Sequence, residues 1–88
     1  MSSPYQALSD ITRRRILELL GDGPKSAGDL GANFQISAAS VSHHLSVLRQ
    51  AGLVDSQKKG QQVIYTLNTT VFQEILLWIQ KLKDGGNP

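Results

Sequence analysis

Apolar positions recur along the chain in two rhythms, and the switches between them divide it into elements. Between Ile11 and Leu20, residues Ile16, Leu19 and Leu20 fall at i, i+3, i+4, the spacing that lines one face of a helix. Ser9 and Asp10 stand ahead of this run with oxygens suited to capping it, and Gly21-Asp22-Gly23-Pro24 stops it. Ser26-x-x-Asp29 reads as the capping box of a short second helix carrying Ala27, Leu30, Gly31 and Phe34 at i, i+3, i+4, i+7. Gln35-Ile36-Ser37 makes a tight connection, Ser37 caps a third helix, and Gly52 ends that helix just after Ala51. The rhythm then shortens to alternation. Val54 to Lys58 and Val63 to Leu67 predict two strands, joined into a hairpin by Lys59-Gly60-Gln61-Gln62. Asn68-Thr69-Thr70 offers caps for a last helix from about Val71 to Lys83, and Gly85-Gly86-Asn87-Pro88 predicts a frayed end. The predicted fold is mainly α with a β-hairpin (α+β): a helix-turn-helix carrying a wing, in a single domain over residues 1–88.

Composition narrows the chemistry. At 88 residues the chain is a small domain that gains much from oligomerising. It contains no cysteine, which removes disulfides, thiolate metal sites, iron–sulfur clusters and cysteine nucleophiles together. The longest apolar run, Ile75 to Ile79, is far short of the roughly 20 residues a membrane span requires, and the first residues carry no leader pattern. A cytoplasmic, membrane-free protein is expected. Paired carboxylates at useful spacing, a phosphate-cradling glycine loop and a metal constellation are all missing, so no enzymatic activity and no cofactor are expected.

The net charge of +2 says less than its distribution. From Leu30 to Gln73 the only acid is Asp55, against Arg49, Lys58 and Lys59, with His43 and His44 in the same stretch. A carboxylate repels phosphate, so an acid-poor middle is a footprint for a polyanion. The third helix sharpens this. Val41, Leu45, Leu48 and Gly52 cluster on one side and face the core, so the opposite side presents Ala39, His43, Ser46 and Gln50, with Ser40, Ser42 and Val47 at its edges. A solvated helix face is usually rich in Glu and Lys, yet Ala38 to Leu48 contains neither. Small residues allow close approach to a groove, and hydroxyls and an imidazole can meet base edges or phosphates. His44 points some 60° from the core direction and reads as a packing residue, and two adjacent histidines without a third ligand make no zinc site. At the hairpin tip, Lys58 and Lys59 reach toward phosphate or merely guard a strand edge. Of Arg13-Arg14-Arg15, at most one is expected on a phosphate, because a triplet points around three sides of a helix.

Two stretches bear a resemblance. Leu8 to Leu20, reading LSDITRRRILELL, resembles the opening of ArsR/SmtB-type repressors, and Ile36-Ser37-(x)3-Val41-Ser42-His43-His44-Leu45-(x)2-Leu48-Arg49-Gln50-Ala51-Gly52-Leu53-Val54 resembles their recognition unit. Leu67-Asn68-Thr69-Thr70-Val71 and Trp78 are most similar to the SdpR-type autorepressor subgroup, while Ile11 stands where the family usually has Pro. The resemblance implies a winged-helix homodimer that binds double-stranded operator DNA and represses transcription, often of its own operon. By position it implies a major-groove reading segment of Ser37, Ala38, Ser40, Ser42 and His43, to which the outward face adds Ala39, within a recognition helix 38–51, and a wing 58–62 contacting the backbone through Lys58, Lys59 and Gln61. The thiolates by which many members sense metals are missing at Ser26 to Leu30, and the last helix has no His or Asp for zinc, so no metal site is implied and the inducer is open.

The last helix carries more apolar residues than one core-facing stripe of about 100° holds. Phe72, Ile75, Leu76, Trp78, Ile79 and Leu82, with Tyr5 and Leu8 from near the start of the chain, are therefore expected to form a homodimer surface. Two alternatives stand beside the repressor: a winged helix used only to bind protein, because a fold does not dictate its function, and a repressor answering an unidentified non-thiol ligand.

Overall fold

The computed structural model describes residues 3–85. Residues 1–2, and 86–88 of the end expected to fray, lie outside the described residues. In chain order the elements are α1 (Pro4–Ala7), α2 (Ile11–Leu20), β1 (Lys25–Ser26), α3 (Ala27–Gly31), α4 (Ala38–Gln50), β2 (Val54–Lys59), β3 (Gln62–Leu67) and α5 (Thr69–Lys83). The fold is a helical winged helix-turn-helix with a three-stranded antiparallel sheet in the order β1-β3-β2.

Caps set most of the boundaries. The Asp10 carboxylate accepts from the Arg13 N–H at 3.0 Å and starts α2 at Ile11, so the helix needs no proline there and leaves Ile11 exposed. Ser9, expected to share that role, instead donates its hydroxyl to the Gln6 carbonyl at 2.6 Å and closes α1. Ser26 Oγ accepts from the Asp29 N–H, as the first half of a capping box requires, but α3 ends at Gly31. Phe34 thus lies in the turn beyond α3, half-buried against the core, rather than on a longer helix. Gly52 has φ +80°, the left-handed conformation that terminates α4.

The hairpin is tighter than the four-residue connection expected. Lys59 pairs with Gln62, leaving a two-residue turn at Gly60 and Gln61. Gly60 has φ +63° while Gln61 has a negative φ, the pattern of a type II′ turn with glycine first. Neither α1 nor β1 was expected. β1 is two residues that complete the sheet by pairing Lys25 with Tyr65 and Ser26 with Ile64. α5 begins at Thr69, ahead of the expected Val71, and Asn68 precedes it without a side-chain cap. Its backbone N–H donates instead to the Leu53 carbonyl at 2.9 Å, tying the start of α5 to the end of the recognition unit.

The core gathers one face from each of α1 to α4: Ala7, Ile16, Leu17, Leu20, Leu30, Val41, Leu45 and Leu48, closed below by Leu53 and Val54. Burial of Val41, Leu45 and Leu48 orients α4 as its periodicity predicts, so its other side faces out. The radius of gyration is 14.2 Å. A compact chain of this length would have about 12 Å, so parts of the chain extend beyond the core. α5 shows this in its side chains: Val71, Phe72 and Ile75 pack on the core, yet no residue of the helix is fully buried.

Candidate nucleic-acid interface

The recognition segment starts from a doubly used serine. Ser37, extended at φ −66° and ψ 155°, accepts from the Ser40 N–H at 3.1 Å, and its hydroxyl also lies 3.0 Å from Ser40 Oγ, to which it donates. This pair holds the helix entry and leaves Ala38 and Ala39 exposed on the first turn with no long side chain in front of the backbone. Ser42 and His43 follow on the exposed side, while Ser40 is half-buried. Farther along, the Gln50 amide donates to Ser46 Oγ at 3.2 Å, which organises the end of the same face. The outer face of α4 is thus a strip of small, hydrogen-bonding side chains without a carboxylate, a surface able to lie against base edges.

At the wing, Lys58 and Lys59 end β2 and Gln61 sits in the turn, all exposed. Pairing of β2 with β3 along Val54–Leu67 to Lys59–Gln62 stiffens the hairpin as far as its tip, so both ammonium groups project from an ordered support. Asp55, the acid nearest this stretch in sequence, pairs with Thr66 near the base of the hairpin, away from the tip.

The two histidines separate as expected. His43 is exposed, whereas the His44 side chain is only 16% exposed, with Nδ1 3.2 Å from Arg13 Nη1 and 4.0 Å from Asp10 Oδ1. The arginine triplet is occupied at home: Arg13 Nε donates to the Ala7 carbonyl at 2.8 Å, Arg14 Nη1 to the Leu8 carbonyl at 2.7 Å, and Arg15 pairs with Glu18 at 3.2 Å on the surface. The partners of Arg13 were not legible in the sequence, because Arg13 and His44 stand 31 positions apart. Asp10 is held below its ordinary value by the Arg13 backbone N–H that it accepts, with partial burial opposing and the charges of protonated His44 and of Arg13 acting in the same direction as the hydrogen bond. Among the described residues no group of three or more His, Asp or Glu could hold a metal ion.

Opposite in character is the surface shared by α1 and α5. Tyr5 meets Trp78 edge-on, with ring centroids 5.4 Å apart and planes at 64°. Stepped at about 100° per residue, Val71, Phe72, Ile75, Trp78, Ile79 and Leu82 fall on one stripe of α5 roughly 120° wide. Its first half is covered by the core, with Leu8 packed there too, while Trp78, Ile79 and Leu82 are 46%, 50% and 58% exposed. The apolar surplus therefore has two sources: the set is wider than one core-facing stripe, as its composition suggests, and the helix runs past the core. Leu76 lies at the edge of the stripe, exposed; Leu77 points away from it. No helix among the described residues is long and apolar enough to cross a membrane.

A helix-turn-helix whose second helix shows an acid-free outer face, followed by a basic hairpin, defines a winged-helix DNA-binding protein. Comparison with known proteins makes the assignment specific. The family model described as bacterial regulatory protein, arsR family, matches residues 10–56. The transcriptional repressor SdpR of Bacillus subtilis is 44% identical over 87 residues, covering 99% of this chain and 97% of that protein. The arsenical resistance operon repressor of Staphylococcus aureus is 37% identical, covering 86% and 73%. Among solved structures, an ArsR family transcriptional regulator superposes with TM-score 0.86 at 26% identity, covering 91% of this chain and 88% of that one. HlyU from Vibrio cholerae superposes with TM-score 0.74 at 33% identity, covering 89% and 85%. The chain belongs to the ArsR family: it is a DNA-binding transcriptional regulator of repressor type, from a family of regulators and not of enzymes. The resemblance drawn from its sequence is the family found.

Proposed function

We propose that this regulator acts as a homodimer that binds an operator and represses transcription, including that of its own gene. The observation that carries the reading is the outer face of α4, exposed and free of carboxylates from Ala38 to Leu48, next in the chain to a hairpin tipped by two lysines. In this reading Ser37, Ala38, Ala39, Ser40, Ser42 and His43 enter the major groove, and Lys58, Lys59 and Gln61 follow the adjacent backbone. Tyr5, Leu76, Trp78, Ile79 and Leu82 meet their counterparts across a two-fold axis, with Leu8, Phe72 and Ile75 supporting them from the core side. Two-fold symmetry then sets the recognition helices about 34 Å apart, on a palindromic or near-palindromic site. Repression is supported by the likeness to the transcriptional repressor SdpR over nearly the full length of both chains. Such a protein works where the DNA is, in the cytoplasm.

The test is fluorescence anisotropy against the duplex upstream of its own gene, with a scrambled duplex as control. One dimer per site with a preference of at least about 10³ over the control is expected. Ser40→Glu and His43→Glu should each abolish this binding while leaving dimerisation intact. Operator binding that survives both substitutions removes the recognition-helix assignment; equal, weak binding to both duplexes removes autoregulation and leaves either an operator elsewhere or the protein-binding module.

A further inference from the structure

Arg13 is the one member of its triplet that joins three helices. Its guanidinium donates through Nε to the Ala7 carbonyl at the end of α1 and through Nη1 to His44 Nδ1 in the middle of α4, while its backbone N–H is held by Asp10 at the start of α2. A guanidinium has no acceptor. His44 Nδ1 must therefore accept, which places the ring proton on Nε2 and makes the link one between an arginine and a neutral imidazole. Lysine, with a single nitrogen, cannot span a carbonyl and an imidazole in this fork.

The placement gives the link a consequence. α1 carries Tyr5, which packs on Trp78 at the apolar surface assigned to the subunit boundary, and α4 carries the residues assigned to the bases. A dimer occupies two half-sites together only when the separation of its recognition helices is held constant. We infer that Arg13 is a positioning residue for operator binding: through neutral His44 it locks α4 to the α1–α2 corner and so sets the spacing of the two recognition helices. The inference rests on the proposed dimeric DNA-binding function.

Protonation of His44 would undo the lock. Nδ1 would become a donor facing another donor at 3.2 Å, and the nearest alternative acceptor is Asp10 Oδ1 at 4.0 Å. The ring would turn from Arg13 toward Asp10. The charged groups facing it are these two from α2; α1 carries no charged side chain, and on α4 itself the exposed His43 ring lies 5.8 Å away.

Two variants and one spectrum test this. In Arg13→Gln the shorter side chain cannot reach both acceptors; in His44→Asn the amide oxygen replaces Nδ1 as acceptor but does not titrate. Each is titrated by anisotropy against the upstream duplex and against duplexes with one base pair added or removed between half-sites, from about pH 8 to pH 6. Arg13→Gln is expected to remain a dimer, to lose at least tenfold in operator affinity and to lose its preference among spacings. His44→Asn should match the wild type at pH 8 and lose less affinity on acidification; His43 is present in both proteins and cancels from that comparison. An unchanged spacing preference in Arg13→Gln, or identical pH profiles for His44→Asn and wild type, overturns the inference. If Arg13→Gln does not fold, the ¹⁵N shifts of the wild-type His44 ring decide: the Nε2–H tautomer supports the lock and the Nδ1–H tautomer sinks it. Absence of specific binding by the wild type removes the DNA reading itself, an outcome distinct from wild-type binding with an indifferent Arg13→Gln.

Discussion

Replacing both Ile79 and Leu82 by alanine isolates the exposed half of the α5 stripe. Each is about half exposed in the single chain, at 50% and 58%. Complete burial of such a side chain is worth about 1.5–3 kcal/mol, so covering the exposed half contributes about 0.8–1.5 kcal/mol per residue. Two-fold symmetry brings two copies of each residue to the interface, so the double variant loses roughly 3–6 kcal/mol of dimerisation free energy. That is a rise of about 10²- to 10⁴-fold in dimer Kd. The assay is sedimentation equilibrium over a dilution series, with emission from Trp78, the only tryptophan and itself on the stripe, as a second readout of burial. The fold should persist, because neither side chain belongs to the buried core. Leu77→Ala supplies the control. Leu77 is more exposed than either, at 65%, but projects from the opposite side of the helix, so its removal is expected to leave the dimer unchanged. If Leu77→Ala weakens the dimer as much as the double variant, or the double variant stays dimeric at nanomolar concentration, the stripe is not the interface.

Other consequences are local. Asp10→Ala removes the α2 cap and should cost about 1 kcal/mol, read as a fall in Tm of roughly 4–8 °C. Because the folded-state carboxyl lies below its ordinary value of 3.8, the stabilisation from its ionised form is complete above that value and is lost as pH falls through the lowered folded one. Wild type should therefore lose more stability on acidification than Asp10→Asn, which caps without titrating, and parallel curves would contradict this. Gly52→Ala forces a side chain into the left-handed region at φ +80°, although its Cβ would lie an ordinary 3.9 Å from Val71 Cγ2. A loss of about 1–2 kcal/mol in urea unfolding is expected from conformation alone. In Lys58→Gln with Lys59→Gln, the log–log salt slope of operator binding should fall by about one for each phosphate that a lysine no longer neutralises, and an unchanged slope would take the wing off the backbone.

Much of the architecture is local physics and is legible without coordinates. The 3.6-residue rhythm of Val41, Leu45 and Leu48, the caps at Asp10 and Ser37, and Gly52 after Ala51 each act within a few residues, so α2 and α4 stand where the pattern puts them. The exposed face of α4 follows as the complement of its buried one, which is why Ala39, Ser42 and His43 could be placed on it from periodicity, while Ser37 and Ala38 were named from the family resemblance. What depends on distant partners was hidden. β1 is two residues with no strand signal of their own and exists because β3 offers a free edge. Asn68 anchors through its backbone to Leu53 rather than capping with its side chain. The surplus on α5 could be counted from composition, but one of its two sources, a stripe continuing past the end of the core, depends on where the rest of the chain stops. Arg13, His44 and the Ala7 carbonyl likewise meet only once three helices have packed. Sequence by itself thus determined the main helices and the hairpin, the family and the face that α4 turns outward, because caps, periodicity and glycine conformations are short-range. Tertiary structure alone decided which half of α5 is left uncovered and which arginine holds the recognition helix, because both depend on the distances between packed elements and not on spacing along the chain.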